Sequence, residues 1–410
     1  MNRIRRFLHS YHPVVHILLI GTVLARTAST MSMPFLALYL AAHTEASAVL
    51  IGFVIGAGSL AGTVGGFIGG TLSDKLGRKG VMLAALFGWA VVFIGFALVR
   101  EPVLFLVLNL LNGLCKSFYE PVSQALMADL TEPSKRYKVF SLRYMSINIG
   151  GAVGPLAGAY FGTVNGSLPF FLTGLVYLLY ALILFVLLAR FGIRKIEGNA
   201  KAPVSFQSAW NVIRRDGPFR LYIAGGILGA MGYSQMTVTL SQYLRNSVAH
   251  GVELFGWLMT VNALVVIVLQ LPLSSWAAKR TPLAAIVTGN VLFALGIVGF
   301  SLSSGAVGFI AAMVVFTLGE ILTYPAGNLL VDKLAPEGMR GTYFGAQTFT
   351  NIGHFVGPLA GGYLLSHYGG SPLFLTMAAV TLGGSYFYAA GSRLAAPVRQ
   401  APPAVQEKSA

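Results

Sequence analysis

Long hydrophobic runs recur twelve times along this chain. They lie near residues 14–40, 48–73, 79–99, 102–130, 137–163, 168–191, 218–245, 252–278, 282–303, 306–334, 340–368 and 371–394, with short polar breaks between most of them. A bilayer-spanning helix needs about 20 apolar residues, so the chain reads as an all-α membrane protein of twelve transmembrane helices. Composition agrees. Of 410 residues, 55% are hydrophobic and 10% charged, and the mean hydropathy is +0.73, whereas soluble domains carry roughly 25% charged residues. A water-soluble, disordered or fibrous chain is excluded. The first run follows a basic start and continues to about Leu40 without a small-residue cleavage site, too long for a secretory signal. The single cysteine, Cys115, allows no intramolecular disulfide, and no His/Cys cluster has metal-ligand spacing.

The net charge of +15 points to topology rather than to nucleic acid. With the N-terminus in the cytoplasm, 23 of the 28 Lys and Arg residues fall in cytoplasmic segments. Arg100 and Arg245 fall outside, and Arg26, Lys116 and Arg143 lie within spans. The excess of basic residues in cytoplasmic loops sets orientation, so both termini are expected in the cytoplasm of a cell-membrane protein. The second half repeats the first. Asn148-Ile-Gly-Gly-Ala-Val-Gly-Pro-Leu-Ala-Gly158 and Asn351-Ile-Gly-His-Phe-Val-Gly-Pro-Leu-Ala-Gly361 share nine of eleven residues at an offset of 203, which also relates Asp129 to Asp332 and Pro133 to Pro336. Two parallel six-helix repeats with the substrate path between them are a known transporter solution. The expected organisation is a first half over 1–191, a cytoplasmic linker over 192–217, a second half over 218–394 and a disordered cytoplasmic tail over 395–410.

Glycines mark close approaches. Gly58, Gly62, Gly66 and Gly70 recur every four residues, as do Gly150, Gly154 and Gly158, and Gly353, Gly357 and Gly361. Such stripes let helices pack tightly in lipid, and Pro155 and Pro358 each remove a helical hydrogen bond. They are expected to pack helices or to form deformable contacts where the halves rock. Between spans 2 and 3, Asp74 stands beside Lys75, Arg78 and Lys79, with Gly70 and Gly77 permitting tight loop geometry. A carboxylate there can pair with the basic side chains or face a helix N-terminus.

Gly70-Thr-Leu-Ser-Asp74-Lys75-Leu-Gly77-Arg78-Lys79 resembles the signature cytoplasmic loop of the major facilitator superfamily, and Gly150-Gly-Ala-Val-Gly154-Pro155-Leu-Ala-Gly158 resembles the span-5 motif of its proton-coupled antiporters. Across essentially all twelve spans the chain resembles a drug:proton antiporter of the multidrug-exporter type. The resemblance implies the major facilitator fold and a small-molecule substrate exchanged for protons, with the proton gradient as energy source and no cofactor. It also implies a conformational latch at Asp74 and Arg78, in a loop that includes Gly70, Lys75, Gly77 and Lys79. The second-half position equivalent to Asp74 is Ala277, so any latch is asymmetric. Exporters of this type usually carry an arginine in span 4 ahead of a glycine; here that position is Asn109.

Ionisable groups within spans cost on the order of 2.5–3.5 kcal/mol each on insertion scales and should face a partner or a wet cavity. Glu120 lies near the midplane of span 4, four residues from Lys116, and is the leading proton-coupling candidate. Glu320, in the middle of span 10, is the second, with Lys116 and Arg26 as companions; a permanent pair of Glu120 with Lys116 or Arg26 is the plain structural alternative. Tyr119, Asn148, Tyr233, Gln235, Tyr324, Gln347, Asn351 and His354 are expected to line the path, together with Met31, Met33, Met231 and Met236 as an adaptable apolar surface. No catalytic constellation and no GxxxxGK[ST] loop is present, which excludes an enzyme and direct ATP drive. The expected activity is proton-coupled export of small amphipathic compounds by a monomer. A facilitator or symporter for a small metabolite, or a lipid or glycolipid flippase, stays open.

Overall fold

The computed structural model describes residues 10–36, 39–40, 48–164, 166–191 and 206–398. The first half contains α1 (Pro13–Ser32), α2 (Ala48–Leu76), α3 (Arg78–Leu98), α4 (Pro102–Asp129), α5 (Arg136–Val164) and α6 (Leu168–Arg190). A short helix α7 (Phe206–Arg215) leads to the second half, which contains α8 (Gly217–Thr237), α9 (Thr239–Ser247), α10 (Gly251–Ala277), α11 (Pro282–Leu302), α12 (Ala306–Leu334), α13 (Arg340–Gln347), α14 (Ile352–Tyr368) and α15 (Gly370–Val398). Nine of the described helices are long and apolar enough to cross a bilayer. Of the other three spans, α8–α9 and α13–α14 are broken into pieces of which α9, α13 and α14 are too short to cross alone, and α5 and α8 are rich in glycine and polar residues.

Helix starts follow local chemistry. Pro13, Pro102 and Pro282 occupy first-turn positions, where no donor is lost. His12, Asp216 and Thr281 cap the backbone N–H groups of Val14, Phe219 and Ala284. Gly77 alone separates α2 from α3, at φ +92°, a conformation that excludes side chains with a Cβ except under strain. Gly70, expected in that loop, lies inside α2.

The same pairings appear twice. In the first half α1 packs on α5 and α6, α3 on α4 and α6, and α2 on α4; in the second, α8 packs on α14 and α15, α11 on α12 and α15, and α10 on α12. These are the two six-helix pseudo-repeats expected from the sequence offset. Large apolar side chains such as Val91, Leu98, Val186, Leu302 and Val307 cover the outside, an arrangement suited to lipid and not to water. Between halves, α2 meets α13, and α5 meets α10 and α12.

Several boundaries differ from the sequence expectation. Span 7 breaks at Val238, and span 11 passes through a 3₁₀ turn at Thr348–Asn351. The linker contains α7, whose Ala209 and Ile213 are buried while Trp210 rests its ring on Phe67 and Phe349. The last helix runs through Val398, so the first residues expected in the tail are helical. Residues 192–205 of the linker and 399–410 of the tail lie outside the described residues.

Candidate functional site

One end of the bundle is closed by a buried charge network. Asp74, at the end of α2, accepts from the backbone N–H of Gly341 at 3.0 Å, from that of Thr342 at 2.6 Å and from Thr342 Oγ1 at 2.7 Å. Those donors form the first turn of α13, so a carboxylate of one half sits on a helix N-terminus of the other, where unsatisfied N–H groups and the helix dipole favour it. Arg78 binds Asp74 from within the first half and also donates to Ser73 Oγ at 2.7 Å and Asp129 at 3.3 Å. Arg340 of the second half bridges the two repeat-related aspartates, Asp129 at 2.7 Å and Asp332 at 2.8 Å, and Arg136 of the first half reaches Asp332 at 2.7 Å. Three carboxylates and three guanidinium groups thus neutralise one another across the junction. Lys75 is exposed and Lys79 stands over the Phe185 ring, so of the four charged loop residues only Asp74 and Arg78 enter the network. Arg136 and Arg340 were not singled out from sequence; the recurrence of Asp129 at Asp332 was the available signal.

The glycine stripes divide into two kinds. A Cβ on Gly70 would lie 2.0 Å from the carbonyl oxygen of Gly341, and one on Gly345 would lie 2.2 Å from that of Gly66, so Gly66 and Gly70 press against Gly341 and Gly345 between the halves. Gly58 packs inside the first half, on Asn109 of α4. Asn109 donates to the carbonyl of Val54 at 2.7 Å, so the position at which exporters carry an arginine clamps α4 to α2. The antiporter-type motif also faces inward. Gly150, Gly154 and Gly158 press on Arg26, Thr30 and Met31 of α1, and Gly353, Gly357 and Gly361 press on Ile227, Ser234 and Gln235 of α8. The expectation that these two stripes form a rocking contact between halves is therefore corrected. They bind α5 to α1 and α14 to α8, and Pro155 and Pro358 belong to those helices.

Midway along the bundle the two carboxylates stand in contrasting surroundings. Glu320 of α12 is buried; it accepts from Asn262 Nδ2 at 2.6 Å, from Tyr233 Oη at 3.2 Å and from the hydroxyl of Tyr144. Tyr144 belongs to α5 of the other half and stacks on Tyr324, their centroids 5.1 Å apart. Glu120 is half-buried and makes no hydrogen bond or ion pair among the described residues. No ion pair joins it to Lys116, which is exposed, or to Arg26 among the described residues, so the alternative of a permanent pair is not what the structure has. His354 is exposed, with its ring against Tyr233 at 5.7 Å, and Asn351 is exposed beside it. Asn148 donates to the Tyr144 carbonyl, and Gln347 donates to Tyr222 and Asn328.

Four expected lining residues turn away from the path. Tyr119 is buried in the first half, its hydroxyl 2.6 Å from that of Tyr180. Gln235 is buried in the second half and donates to the Gly357 carbonyl at 3.1 Å. Met31 and Met236 are buried as well. Tyr144 was missed because no repeat partner marks it: the residue 203 positions later is Gln347. Among the described residues no group of His, Cys, Asp and Glu is placed to hold a metal ion.

Two pseudo-equivalent bundles, tied at one end by charge and holding acidic groups at mid-depth, have the build of a membrane transporter. Residues 18–350 match the profile described as Major Facilitator Superfamily, and the chain belongs to that superfamily, as a multi-pass membrane transporter and not an enzyme. It is 38% identical over 383 residues to YqjV, an uncharacterised MFS-type transporter of Bacillus subtilis (strain 168), covering 92% of this chain and 93% of that one. A Na(+), Li(+), K(+)/H(+) antiporter of Planococcus maritimus is 29% identical over 371 residues, covering 83% and 87%. The solved structure of the transporter FucP in its outward conformation shares the fold, with a TM-score of 0.75 at 15% identity over 92% of this chain and 99% of that one.

Proposed function

We propose that this transporter exports small amphipathic compounds from the cytoplasm in exchange for protons, by alternating access, as a single twelve-helix unit in the cell membrane with both termini inside. The observation that carries the reading is the Glu320 site. Its carboxylate accepts from Tyr233 and Asn262 of its own half and from Tyr144 of the other. The ionised form therefore draws the halves together at mid-depth, and a proton on Glu320 removes an acceptor and loosens that tie. With the charge network closed on the cytoplasmic side, a proton arrives from outside. Its release inside restores the cross-half bond as substrate is carried out. This geometry favours Glu320 over Glu120, reversing the order expected from depth in the span, because Glu120 has no partner in the other half among the described residues.

The test is proton movement in proteoliposomes under an imposed pH gradient. Glu320→Gln should abolish gradient-driven transport and leave substrate counterflow intact. Tyr144→Phe should slow the driven reaction about tenfold while sparing counterflow, the equivalent of losing one cross-half hydrogen bond worth about 1.4 kcal/mol. Undiminished driven transport in Glu320→Gln ends the assignment. Monovalent cation export is a second reading, supported by the 29% identical antiporter and by Thr317 Oγ1 and Asn262 standing beside Glu320. Proton release on adding Na⁺ or K⁺ alone selects it.

A further inference from the structure

Apart from Glu320, the charged residues inside the bundle lie in one half. Arg26, Lys116, Glu120 and Arg143 all belong to the first, and the residues 203 positions later are Gly229, Gly319, Thr323 and Ala346. The two halves pair their helices alike, so the fold is built equally well from small neutral residues at these sites. Packing does not call for the charges.

Their surroundings indicate what they are for. Arg143 is 8% exposed and its Nε is buried without a hydrogen-bond partner among the described residues; the Nε of Arg26 is in the same condition. A guanidinium group carries five N–H donors and no acceptor, so two such groups whose donors meet no protein acceptor among the described residues are an unmet demand for anionic oxygens. The two are neighbours. The Cα of Gly150 abuts the stem of Arg26, where an added Cβ would lie 2.7 Å from Arg26 Cβ, and Arg143 lies two helical turns before Gly150 on the same face. Arg26, Arg143 and Glu120 are within electrostatic reach of one another, yet neither arginine closes an ion pair with Glu120. Lys116, one turn from Glu120, is exposed and within reach of His354 on the opposite half. Glu320 forms no ion pair with these cations among the described residues; its oxygens accept from the neutral Tyr144, Tyr233 and Asn262. Three cations face one carboxylate, and the wall of the path is electropositive.

We infer that Arg26 and Arg143 form an anion-binding pair, and that the transported compound is an amphipathic organic anion whose acidic group, a carboxylate, sulfonate or phosphate, they hold. Planar guanidinium groups match such oxyanions two bonds at a time. Lys116 lies on the approach, and the half-buried Tyr233 and Tyr324 belong to an aromatic cluster of the opposite half that suits an apolar body. Glu120 competes with the ligand for the arginines and favours its release. This inference rests on the transporter reading above and fixes the sign of the cargo. Outward movement of an anion against an inward proton carries positive charge inward on both legs, so an inside-negative potential drives the exchange along with the pH gradient.

The experiment uses the full chain purified in detergent, with thermal unfolding measured against salicylate, p-aminohippurate and naphthalene-1-sulfonate, and against tetraphenylphosphonium and ethidium. Lysophosphatidylglycerol is a separate arm. The soluble anions should raise the unfolding temperature by several degrees and the cations should not. Arg143→Ala, which copies Ala346 of the repeat, and Arg26→Ala should weaken the anion effect at least tenfold in concentration, and Arg143→Lys should restore part of it. Stabilisation by lysophosphatidylglycerol alone keeps the arginine pair as an anion site and assigns it to a lipid headgroup. Stabilisation by the cations alone, or by neither class in the wild type, overturns the inference even where a variant fails to fold. Proton movement in proteoliposomes separates the two readings. Anion binding without proton exchange sinks the antiport reading and keeps the site, whereas cation-driven proton exchange without an anion effect does the reverse.

Discussion

Replacing Asp74 with alanine should open the latched end of the molecule. The Asp74 side chain is fully buried, and its three donors on α13 all belong to the opposite half. Deleting one member of a buried, hydrogen-bonded charge cluster costs about 3–5 kcal/mol, because the remaining groups are left desolvated and unpaired. The share of that loss owed to the three α13 donors falls on the closed arrangement alone, since water replaces the carboxylate there once the halves part, whereas the pair with Arg78 lies within the first half in both arrangements. Arg78 keeps Ser73 and Asp129, and Arg340 and Arg136 still link the halves, so the lower figure applies. About 3 kcal/mol is a factor of roughly 10² in the ratio of closed to open molecules, enough to bring a 99:1 population near parity. Spin labels at Lys75→Cys and Glu337→Cys, both exposed at this end, report the distance in a Cys115→Ser background. The parent should give one short distance, and Asp74→Ala should add a longer one of comparable weight. An unchanged distribution in folded Asp74→Ala would mean that Asp74 is equally well satisfied when open, and the latch argument would fail.

Four further substitutions separate contacts between halves from contacts within them. Gly70→Ala places a methyl 2.0 Å from the Gly341 carbonyl oxygen and should shift the same spin-label distances toward the open form, whereas Gly80→Ala, with nothing within 4 Å, should leave them alone. Gly154→Ala places its methyl 2.0 Å from Thr30 Oγ1 and 2.5 Å from the Thr27 carbonyl oxygen; it should lower the unfolding temperature by several degrees without altering the distances, since that contact lies within one half. Trp210→Ala removes two aromatic contacts worth about 0.5–1.5 kcal/mol each, and should raise hydrogen exchange across 206–215 roughly fivefold or more while the bundle helices keep their protection.

The twelve spans and the repeat were legible because they depend on run length and on a single offset, both properties of the chain alone. Gly77 and Asp74 were legible for a related reason: a left-handed turn and a carboxylate beside a helix end are local demands. The facing of individual residues was not. Helices such as α11 and α12 are apolar nearly all round, for lipid on one side and protein on the other, and the periodicity that separates inside from outside in a soluble helix is flattened. Tyr119 and Gln235 were accordingly read as lining the path, although each satisfies its polar group inside its own half. The partners of Glu320 were hidden for another reason. Depth in a span can be counted, but Tyr144 reaches Glu320 across 176 residues of sequence, with no repeat to announce it. Linker helix α7 carried a readable signal in Phe206, Ala209, Trp210 and Ile213, spaced as one helix face, within a segment read only as a polar break.

The loss of the second Asp74 makes physical sense in a molecule that must close and reopen. Ala277 holds the equivalent position and is buried in an apolar cluster that includes Tyr137 and Phe140 of α5. One side of the junction is thus a carboxylate on a helix N-terminus and the other is apolar packing. The two respond differently to separation. Charged groups that part are rehydrated, which recovers much of what their contact contributed, while apolar surfaces that part lose their burial at roughly 25 cal/mol per Å² with no such return. A polar tie on both sides would open easily and hold poorly; an apolar one on both sides would hold and resist opening. The charge network that remains is neutral, with Asp74, Asp129 and Asp332 against Arg78, Arg136 and Arg340. Its separation therefore leaves no unbalanced charge on either face. Each half exposes both signs, since Asp74, Asp129, Arg78 and Arg136 stay with the first and Asp332 and Arg340 with the second, so the open arrangement keeps internal pairs such as Arg78 with Asp129 and Arg340 with Asp332. The closed state is then favoured chiefly by the three links that cross, from Asp74 to α13, Arg340 to Asp129 and Arg136 to Asp332, and their removal one at a time should weaken closure in steps rather than abolish it.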